Sequence, residues 1–453
     1  MTLFKMQRIA YTAPDAVARL HALCKQLSLQ ADVVSPRGRA LTEQVFGQAL
    51  TPAQVVDRIC TDVRKNGVAA VLHYTEQFDK TKLAPETIRV DATEFDAAHK
   101  AASSEFLATI RRVRDNILSF QSKLVHADVT LTKPDHHELG LRYRPLRRIG
   151  VCIPGGAAAY PSTILMTTGP AQAAGVKEIA LVMPPTRTGA GNPDLLATCK
   201  ELGITEVYRI GGAQAVAALA YGIEGLPKVD MIVGPGNIFV TLAKKYVYGD
   251  VAIDCLAGPS EVVVIADESA SPEFIAADLI AQAEHDPASS ILITWHEPLL
   301  AKVEEAIARQ CANLPRGDLA RACLERFGAL VLAKDQAQAI EWSNQIAPEH
   351  LHLATNNASE MVDKMEYAGA IFVGHYAPVA LGDYAAGPSH VLPTGGTARF
   401  TSGLSASDFL RRSSVLSFTQ QGLAALAPDV RVLAEKEGLT AHSASVDVRL
   451  VKE

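Results

Sequence analysis

At 453 residues, the chain is longer than the ~250–300 residues at which a single hydrophobic core usually stops growing, so we expect more than one lobe. Hydrophobic residues make up 48% and charged residues 20% of it, and no apolar run approaches the ~18 residues of a membrane span, so we expect no membrane partner. The net charge of -6 argues against nucleic acid, which attracts basic surfaces, and favours a small-molecule partner.

The N-terminus and the cysteines bear on the compartment. The first residues, MTLFKMQRIAYTAPDAV, lack the apolar core of a signal peptide, so the cytoplasm is the expected compartment. The chain has 7 cysteines without a CxxC pair, at spacings typical of neither a zinc knuckle nor a disulfide framework. We expect free, mostly buried thiols, and any metal ligands must be sought among His, Asp, Glu and Gln.

The apolar pattern predicts a helical layer followed by two α/β series. Residues 51–78 carry apolar positions at helical spacing after a Thr that can cap the first turn. Short apolar strands, IGVCIP, EIALVMP, EVYRI and MIVG, then begin near residues 149, 179, 206 and 231. A second set, EVVVIAD, ILITW, ALVLAKD, HLHLAT and AIFVG, starts at residue 261, again with helices between most strands. This alternation predicts mostly parallel sheets.

Three glycine-rich turns follow strands of the first series. They are IPGGAAAYPSTILM at 153–166, GGAQAVAAL at 211–219 and GPGNIFVTLA at 234–243. Small residues where a strand enters a helix let backbone N–H groups approach a phosphate at the positive end of that helix. None of the turns matches GxGxxG, and taken singly each is also compatible with ordinary packing of a strand against a helix.

Two polar pairs follow predicted helices. In AQAEHDP, Gln282 and His285 are three residues apart on one helical face, as two metal ligands would be, although a polar helix end is the alternative. In IAPEHLHL, Glu349 and His350 are adjacent, and an imidazole beside a carboxylate suits a general base. The alternative is a capping Glu beside a surface His, and for His352 we expect packing or solvent exposure.

The C-terminal part of the chain holds further polar candidates. Residues 375–404 are rich in Gly, Pro, Ser and Thr, which predicts a long ordered loop, and Asp383 and His390 lie in it. A turn-capping Asp and an exposed His are equally compatible with that pattern. Residues after 405 predict a small helical tail with Glu437 and His442, and a His so close to a terminus is usually solvated.

These segments together resemble the histidinol dehydrogenase family, in unbroken order from about residue 50 to about residue 450. The resemblance rests on RRIGVCIPGG, GGAQAVAALA, KVDMIVGPGN, AIDCLAGPSEV, DLIAQAEHDP, APEHLHL, GDYAAGPSHVLPTGGTARF and EGLTAHSASV. Several separated motifs in family order are far more specific than any one of them. The resemblance implies the last step of histidine biosynthesis, the NAD-dependent oxidation of L-histidinol to L-histidine through histidinaldehyde.

The resemblance also implies a metal site and a substrate shell. One Zn²⁺ per subunit would be bound by Gln282, His285, Asp383 and His442. The zinc would orient the substrate, since this metal has no redox chemistry. The implied substrate contacts are these four ligands together with Ser260, His350, His390 and Glu437.

Two residues are implied to carry the chemistry. His350 is the expected general base, which removes the alcohol proton while a hydride leaves for nicotinamide. Glu349 is expected to activate water on the bound aldehyde, and His350 takes a proton again in the second oxidation. Keeping the reactive aldehyde in one closed site protects it from side reactions.

For the cofactor, the resemblance implies contacts at Cys152, Gln214 and Asn237. Cys152 departs from the family, because many relatives have a Tyr at this position and an aromatic contact is lost here. The family also forms an intertwined homodimer, in which the C-terminal segment completes the neighbour's site. That arrangement would explain a zinc ligand, His442, so close to the end of the chain.

The implied fold is α/β, with two Rossmann-like (aldehyde-dehydrogenase-like) lobes and small N- and C-terminal helical segments. We expect an N-terminal helical segment over 1–48 and a first lobe with the zinc and catalytic residues over 49–150 plus 262–403. The glycine turns that bind the cofactor would form a second lobe over 151–261, and 404–453 would be the dimer-completing tail.

Other functions compete with this interpretation. A zinc- and NAD-dependent dehydrogenase of another amino- or sulfo-alcohol would share the metal site, although His390 and Glu437 argue against it. A thiol-based aldehyde dehydrogenase would need Cys152 or Cys255 as nucleophile, yet both lie in apolar contexts that raise a thiol pKa. A zinc hydrolase would leave the glycine turns without use, and a non-catalytic scaffold would leave the full set of polar candidates unexplained.

Overall fold

The structure is a computed structural model that describes residues 4–27, 36–134, 137–156 and 158–450. Its helices are α1 (Ala16–Lys25), α2 (Pro36–Phe46), α3 (Pro52–Asn66), α4 (Val68–Asp79), α5 (Ala92–Ala101), α6 (Ser104–Gln121), α7 (Pro161–Ala174), α8 (Pro193–Glu201), α9 (Gly212–Tyr221), α10 (Ile238–Val247), α11 (Pro272–Ala283), α12 (Glu297–Cys311), α13 (Gly317–Phe327), α14 (Gln336–Ile346), α15 (Ala358–Met361), α16 (Val379–Tyr384), α17 (Gln420–Lys436) and α18 (Thr440–Asp447).

The strands, in chain order, are β1 (Gln7–Ala10), β2 (Val129–Thr132), β3 (Glu138–Pro145), β4 (Arg148–Cys152), β5 (Glu178–Val182), β6 (Glu206–Tyr208), β7 (Met231–Val233), β8 (Ala252–Ile253), β9 (Ser260–Ala266), β10 (Ala288–Thr294), β11 (Gly328–Leu332), β12 (His350–Ala354), β13 (Ala370–Val373) and β14 (Leu410–Ser417). The two predicted sets of strands are confirmed. None of the helices in the described ranges is long and apolar enough to cross a membrane.

A five-stranded parallel sheet has the order β6-β5-β4-β7-β8. Its middle strand β4 is buried along its whole length, which is typical of a parallel sheet covered by helices on both faces. Helix α3 packs on α9 and α10, and α6 packs on α7. The side chain and backbone of Thr51 form a capping box with Gln54 at the start of α3, as the predicted cap requires.

A six-stranded parallel sheet has the order β1-β11-β10-β9-β12-β13. Its edge strand β1 pairs with β11 and belongs to the N-terminal segment that the sequence predicts to be helical. Four residues are too few for a clear alternation of apolar and polar side chains. The segment is a strand because it pairs with β11, and its sequence alone does not show this. Strands β9 and β12 lie side by side at the centre of this sheet and carry the polar residues described below.

A three-stranded antiparallel sheet has the order β14-β3-β2. Strand β14 lies in the C-terminal segment, for which the sequence predicts helices alone, and α17 and α18 follow it. Its side chains are mostly exposed, so no buried alternation marks the strand, and hydrogen bonding to the distant β3 defines it.

The division into domains remains a prediction, and the packing bears on it. The predicted first lobe joins 49–150 to 262–403. In the structure, α3, α5 and α6 instead contact helices α7 to α10, which flank the five-stranded sheet. An amphipathic helix shows in its sequence which face is buried, but not which lobe buries it.

Candidate active site

Glu349 and His350 lie at the connection between the end of α14 and the start of β12. Ala347, with a left-handed φ of 52°, ends the helix, and Pro348 and Glu349 lead into the strand. Strand β12 pairs with β9 so that His350 lies beside Val262. Both polar side chains are buried, at 7% exposure for Glu349 and 3% for His350. The alternative of a capping Glu and a surface His is therefore not what the chain adopts.

The backbone fixes the tautomer of His350. Its Nδ1–H donates to the carbonyl oxygen of Glu261 at 2.9 Å, because a carbonyl can only accept. The neutral ring therefore carries its lone pair on Nε2. That atom is buried without a hydrogen-bond partner among the described residues and lies 3.6 Å from Asp383 Oδ1. An unshared lone pair is what a general base requires.

Two carboxylates act on the charge of His350. Burial alone would lower the pKa of the imidazole, but the negative charges of Glu349 and Asp383 outweigh it and raise the pKa to about 9. The Glu349 Oε2 atom lies 3.4 Å from His350 Nδ1. The surroundings therefore stabilise an imidazolium once a proton has been taken up.

Oε2 of Glu349 is held by two donors. It accepts a hydrogen bond from Ser260 Oγ–H at 2.5 Å and another from Glu261 N–H at 2.8 Å. Burial raises the pKa of Glu349, while the charge of His350 and these donors act in the opposite direction. The carboxylate is thus fixed in place with a pKa above that of an exposed Glu.

Glu261 is a residue that the sequence did not single out. Its backbone serves both catalytic candidates, because its N–H contacts Glu349 and its carbonyl contacts His350. Its own carboxylate accepts from Gly395 N–H at 3.1 Å, and burial, followed by the charge of Glu349, raises its pKa to about 8. The GPSEV motif contains Glu261. Its contacts to Glu349 and His350 use backbone atoms, which every residue has, so the type of side chain does not reveal them.

The predicted loop brings two more candidates to the same place. Asp383 lies in the short helix α16, and His390 Nδ1–H donates to its carbonyl oxygen at 2.9 Å. The next side chain back, Ser389, anchors the loop by donating from Oγ–H to Met166 O at 2.7 Å. Burial would raise the pKa of Asp383, but nearby His350, His390 and His285 lower it. Asp383 is therefore an anion surrounded by imidazoles.

Gln282 and His285 lie at the end of α11. Gln282 is 4% exposed, and its Nε2 has no hydrogen-bond partner in the described part of the chain, whereas His285 is exposed. The charge of His285 acts on Asp383, so these elements meet. Within the described ranges, no three His, Cys, Asp or Glu side chains are grouped as a metal site. A single chain thus offers part of the predicted ligand set.

Glu437 and His442 are not brought to this cluster within one chain. Glu437 caps the end of α17 and His442 lies in α18, and these two helices pack on each other. Both side chains are exposed. In the described residues, neither side chain takes part in the hydrogen bonds that connect Glu349, His350 and Asp383 with their surroundings.

His352 has a structural role. Its Nδ1 bonds to Asp278 Oδ2 at 2.8 Å, and its Nε2 bonds to the carbonyl oxygen of Gly374 at 2.9 Å. Both ring nitrogens are therefore occupied, and the side chain is only 2% exposed. Of the two outcomes that the sequence allowed for it, packing is confirmed.

The three glycine turns line one cavity of ≈ 400 Å³. Cys152, Gln214 and Asn237, the predicted cofactor contacts, are all in its wall. Asn237 caps α10 by accepting hydrogen bonds from the N–H groups of Phe239 and Val240. Cavities of this size hold small ligands and cofactors, so this is the candidate cofactor site.

A buried ion pair holds the third glycine turn. Lys244 and Asp254 form a salt bridge with side chains only 3% and 2% exposed. Asp254 Oδ2 accepts from Gly234 N–H at 2.7 Å, and Lys244 Nζ donates to Gly234 O at 3.1 Å. Gly234 needs no side chain here, because its φ is 104° and a Cβ would lie 2.4 Å from Cys152 O.

The cysteines near the turns do not have the properties of nucleophiles. Burial raises the pKa of both Cys152 and Cys255 to about 12, so the thiolate is scarce at neutral pH. Cys255 Sγ lies 3.8 Å from the carbonyl oxygen of Leu392. A thiol-based mechanism lacks an activated sulfur at either position.

Comparison with known proteins agrees with the motifs. The histidinol dehydrogenase family profile matches residues 47–450. A histidinol dehydrogenase from Rhodopirellula baltica is 57% identical over 97% of this chain and 95% of its own length. One from Clostridium acetobutylicum is 46% identical over 87% of this chain and 92% of its own.

A solved structure gives the same result. The crystal structure of histidinol dehydrogenase from Elizabethkingia anophelis superposes with a TM-score of 0.88 at 36% identity, covering 98% of both chains. The likeness extends over both parallel sheets and the C-terminal segment, so it is not confined to a shared nucleotide-binding unit. The chain belongs to the histidinol dehydrogenase family.

Proposed function

We propose that this chain oxidises L-histidinol to L-histidine with NAD, in two successive oxidations at one site. The observation that carries the proposal is the pairing of His350 and Glu349. One offers an unshared, buried lone pair and the other a separately held carboxylate. Two oxidations need a base for the alcohol and a group that activates water for the aldehyde, and this pair supplies both. When bound, NAD accepts the hydride in each oxidation.

In the first oxidation, His350 Nε2 takes the proton of the substrate alcohol. The Glu261 carbonyl keeps Nδ1 protonated, so the ring is oriented with its lone pair outward. The imidazolium that forms is stabilised by Glu349 and Asp383, whose charges raise the pKa of His350 to about 9. The product of this step is histidinaldehyde.

In the second oxidation, Glu349 removes a proton from the water that adds to the aldehyde. Burial makes this carboxylate more basic than an exposed Glu, and the Ser260 and Glu261 donors keep it oriented. The hydrate then gives up its proton to His350 as the second hydride leaves. Histidine is the product.

Zn²⁺ would be held by Gln282, His285 and Asp383 of one subunit and by His442 of the partner subunit, one ion per subunit. The anionic Asp383 and the exposed His285 are oxygen and nitrogen ligands of the kinds that zinc takes, and Gln282 would bind through its side-chain carbonyl oxygen. When bound, zinc would fix the nitrogen donors of histidinol. Ser260, His390 and, from the tail, Glu437 would complete the substrate shell.

The proposed enzyme is a cytoplasmic homodimer with shared sites, and the exposed apolar side chains support the dimer. The C-terminal segment carries large apolar side chains that face solvent in the single chain, among them Leu416, Leu433 and Val448 at 66%, 62% and 67% exposure. Val129, on strand β2 of the antiparallel sheet that contains β14, is 55% exposed. Exposed apolar side chains at this density are typical of a surface that another subunit covers.

A substrate panel tests this function. Purified enzyme is assayed for NADH formation with L-histidinol and with other amino- and sulfo-alcohols, before and after chelation. We expect turnover of histidinol alone, its loss on chelation and its recovery with Zn²⁺. Turnover of another alcohol in place of histidinol would move the function to a different dehydrogenase of this type, and turnover without NAD would indicate a zinc hydrolase.

A further inference from the structure

One charged side chain in the cofactor cavity takes no part in the catalytic or metal-binding roles proposed above. Asp79 is the last residue of α4 and lies in the wall together with the glycine turns. The neighbouring wall is largely apolar, with Leu41, Ile59 and Phe78 among its members. Among the described residues that line the cavity, Asp79 is the only one with a formal charge at neutral pH.

The Asp79 carboxylate lacks a donor. Its Oδ2 is buried and has no hydrogen-bond partner in the described part of the chain. Burial raises its pKa to about 6, so the group is still mainly ionised at neutral pH. The side chain is half-buried, and an ionised carboxylate with a buried oxygen that has no partner is unfavourable, since a carboxylate can only accept hydrogen bonds. A ligand with O–H or N–H groups would therefore bind favourably here, because it could donate hydrogen bonds to Asp79.

The position of the cavity indicates which part of NAD it receives. The catalytic candidates Glu349 and His350 are not in its wall, so the nicotinamide that reacts beside them lies outside it. The adenosine half would occupy the cavity, and the backbone N–H groups at the start of α9, which no side chain caps, suit the diphosphate. In adenosine, the ribose offers a pair of neighbouring hydroxyl donors.

On the function proposed above, we propose that Asp79 binds the hydroxyls of the adenosine ribose and selects NAD over NADP. A carboxylate accepts both O–H groups of a ribose, as an acidic residue does in dinucleotide-binding sites of other folds. The 2′-phosphate of NADP would remove one donor and bring negative charge against Asp79 in a poorly solvated cavity. Asp79 therefore favours the cofactor with a free 2′-hydroxyl.

An adjoining pocket does not reverse this preference. It shares Thr42 and Phe239 with the cofactor cavity and contains Arg39, a side chain that could attract phosphate. Glu43 lines the same pocket and balances that charge. The described surroundings of the adenosine end thus carry no net positive charge to compensate a 2′-phosphate.

Binding of two nucleotide fragments tests the proposal without turnover. AMP and adenosine 2′,5′-bisphosphate differ only in the 2′-phosphate, and calorimetry on the full-length protein gives both affinities. We expect the wild type to favour AMP, and Asp79→Asn to weaken AMP about tenfold, the loss of one charge-assisted hydrogen bond, and to bring the two affinities together. Asp79→Glu keeps the charge and should still disfavour the bisphosphate.

Glu76→Gln is the matched control, since it removes one negative charge from the exposed face of the same helix. It should leave both affinities unchanged. Equal binding of AMP by the wild type and Asp79→Asn, or an equal loss for both fragments, would overturn the assignment. Histidinol turnover by the wild type with NAD is measured on the same preparation, so failure of the proposed function would be seen separately.

Discussion

Residues 349 and 350 are neighbours in the chain, yet their surroundings prepare them for different tasks. His350 has one ring nitrogen occupied by a backbone carbonyl and the other free. Glu349 has one oxygen occupied by two donors. Because His350 is proposed as the base in both oxidations and Glu349 as the group that activates water, substitution of each residue should affect a different set of steps.

Glu349→Gln should separate the two oxidations. The amide keeps the size of the side chain but cannot take a proton from water, so histidine formation should fall about 10²- to 10⁴-fold. Oxidation of histidinol to the aldehyde should be affected far less. Rapid-mixing measurements of the first NADH formed, together with the yield of histidine, check this. Glu341→Gln, an exposed change on the preceding helix α14, is the control.

His350→Asn should impair both oxidations and alter the pH profile. The base must be neutral to accept a proton, and the pKa of His350 is raised to about 9, so the wild-type rate should increase as the pH rises towards that value. The variant should lose about 10²- to 10⁴-fold in kcat and should lack this rise. A variant with the same alkaline limb as the wild type would assign the titration to another group.

Sequence predicted the residue types of the site better than their contacts. A motif shows that Glu349 and His350 are adjacent, and each carries a chemically suitable group. It does not show that the carbonyl of Glu261 selects the tautomer, because every residue has a carbonyl. Nor does it show that Asp79 lacks a donor, since this depends on which side chains from distant segments fail to reach it.

Among the secondary-structure elements of the cofactor site, the turn before α10 is held by a buried ion pair. Asp254 and Lys244 contact the N–H and the carbonyl of Gly234 from within the core. Burial would lower the pKa of Lys244, but Asp254 outweighs it and raises that pKa, so the Lys244 ammonium stays charged. A buried ion pair adds little stability of its own, and its use here is to fix a backbone.

Lys244→Met should destabilise the protein by about 3–5 kcal/mol, because Asp254 remains as a buried charge without its partner. The double variant Lys244→Met with Asp254→Asn should regain much of that stability. It should still have a raised KM for NAD with a nearly unchanged kcat, because the carbonyl of Gly234 has lost its donor. Denaturant unfolding and NAD titration measure the two effects, and an unchanged KM in the double variant would contradict the positioning role.

The elements themselves were predictable to different degrees. Buried parallel strands such as β4 and β9 appear as short apolar runs, and their positions are confirmed. Strands β1, β2, β3, β8 and β14 were not predicted. Strands β1 and β8 are very short, and β2, β3 and β14 are largely exposed or half-buried and are defined by their pairing. Periodicity reports burial within a segment, and it carries no information about a distant pairing partner.

At the scale of the whole molecule, one chain contains an incomplete version of the predicted site. His285 and His350 both act on the charge of Asp383, and α11, which carries Gln282, contacts α16, whereas Glu437 and His442 are exposed on the tail. The family resemblance implies this separation, but the pattern of residues does not, because residues that are far apart in one chain become neighbours in a symmetric dimer.

Removal of residues 439–453 should abolish zinc binding and leave both lobes folded. The deletion takes away His442, while α17 and the two parallel sheets lie outside it. Metal analysis after dialysis, with circular dichroism as the check on folding, measures the outcome. A truncated protein that retains stoichiometric zinc would refute the ligand role of the tail.

Counting the products shows whether one site carries out both oxidations. Wild-type enzyme is given limiting L-histidinol and excess NAD, and NADH, histidine and free aldehyde are measured at completion. We expect two NADH for every histidine and no released aldehyde. One NADH for each histidinol consumed, with histidinaldehyde in solution, would contradict it and would mean that this chain performs the alcohol oxidation alone.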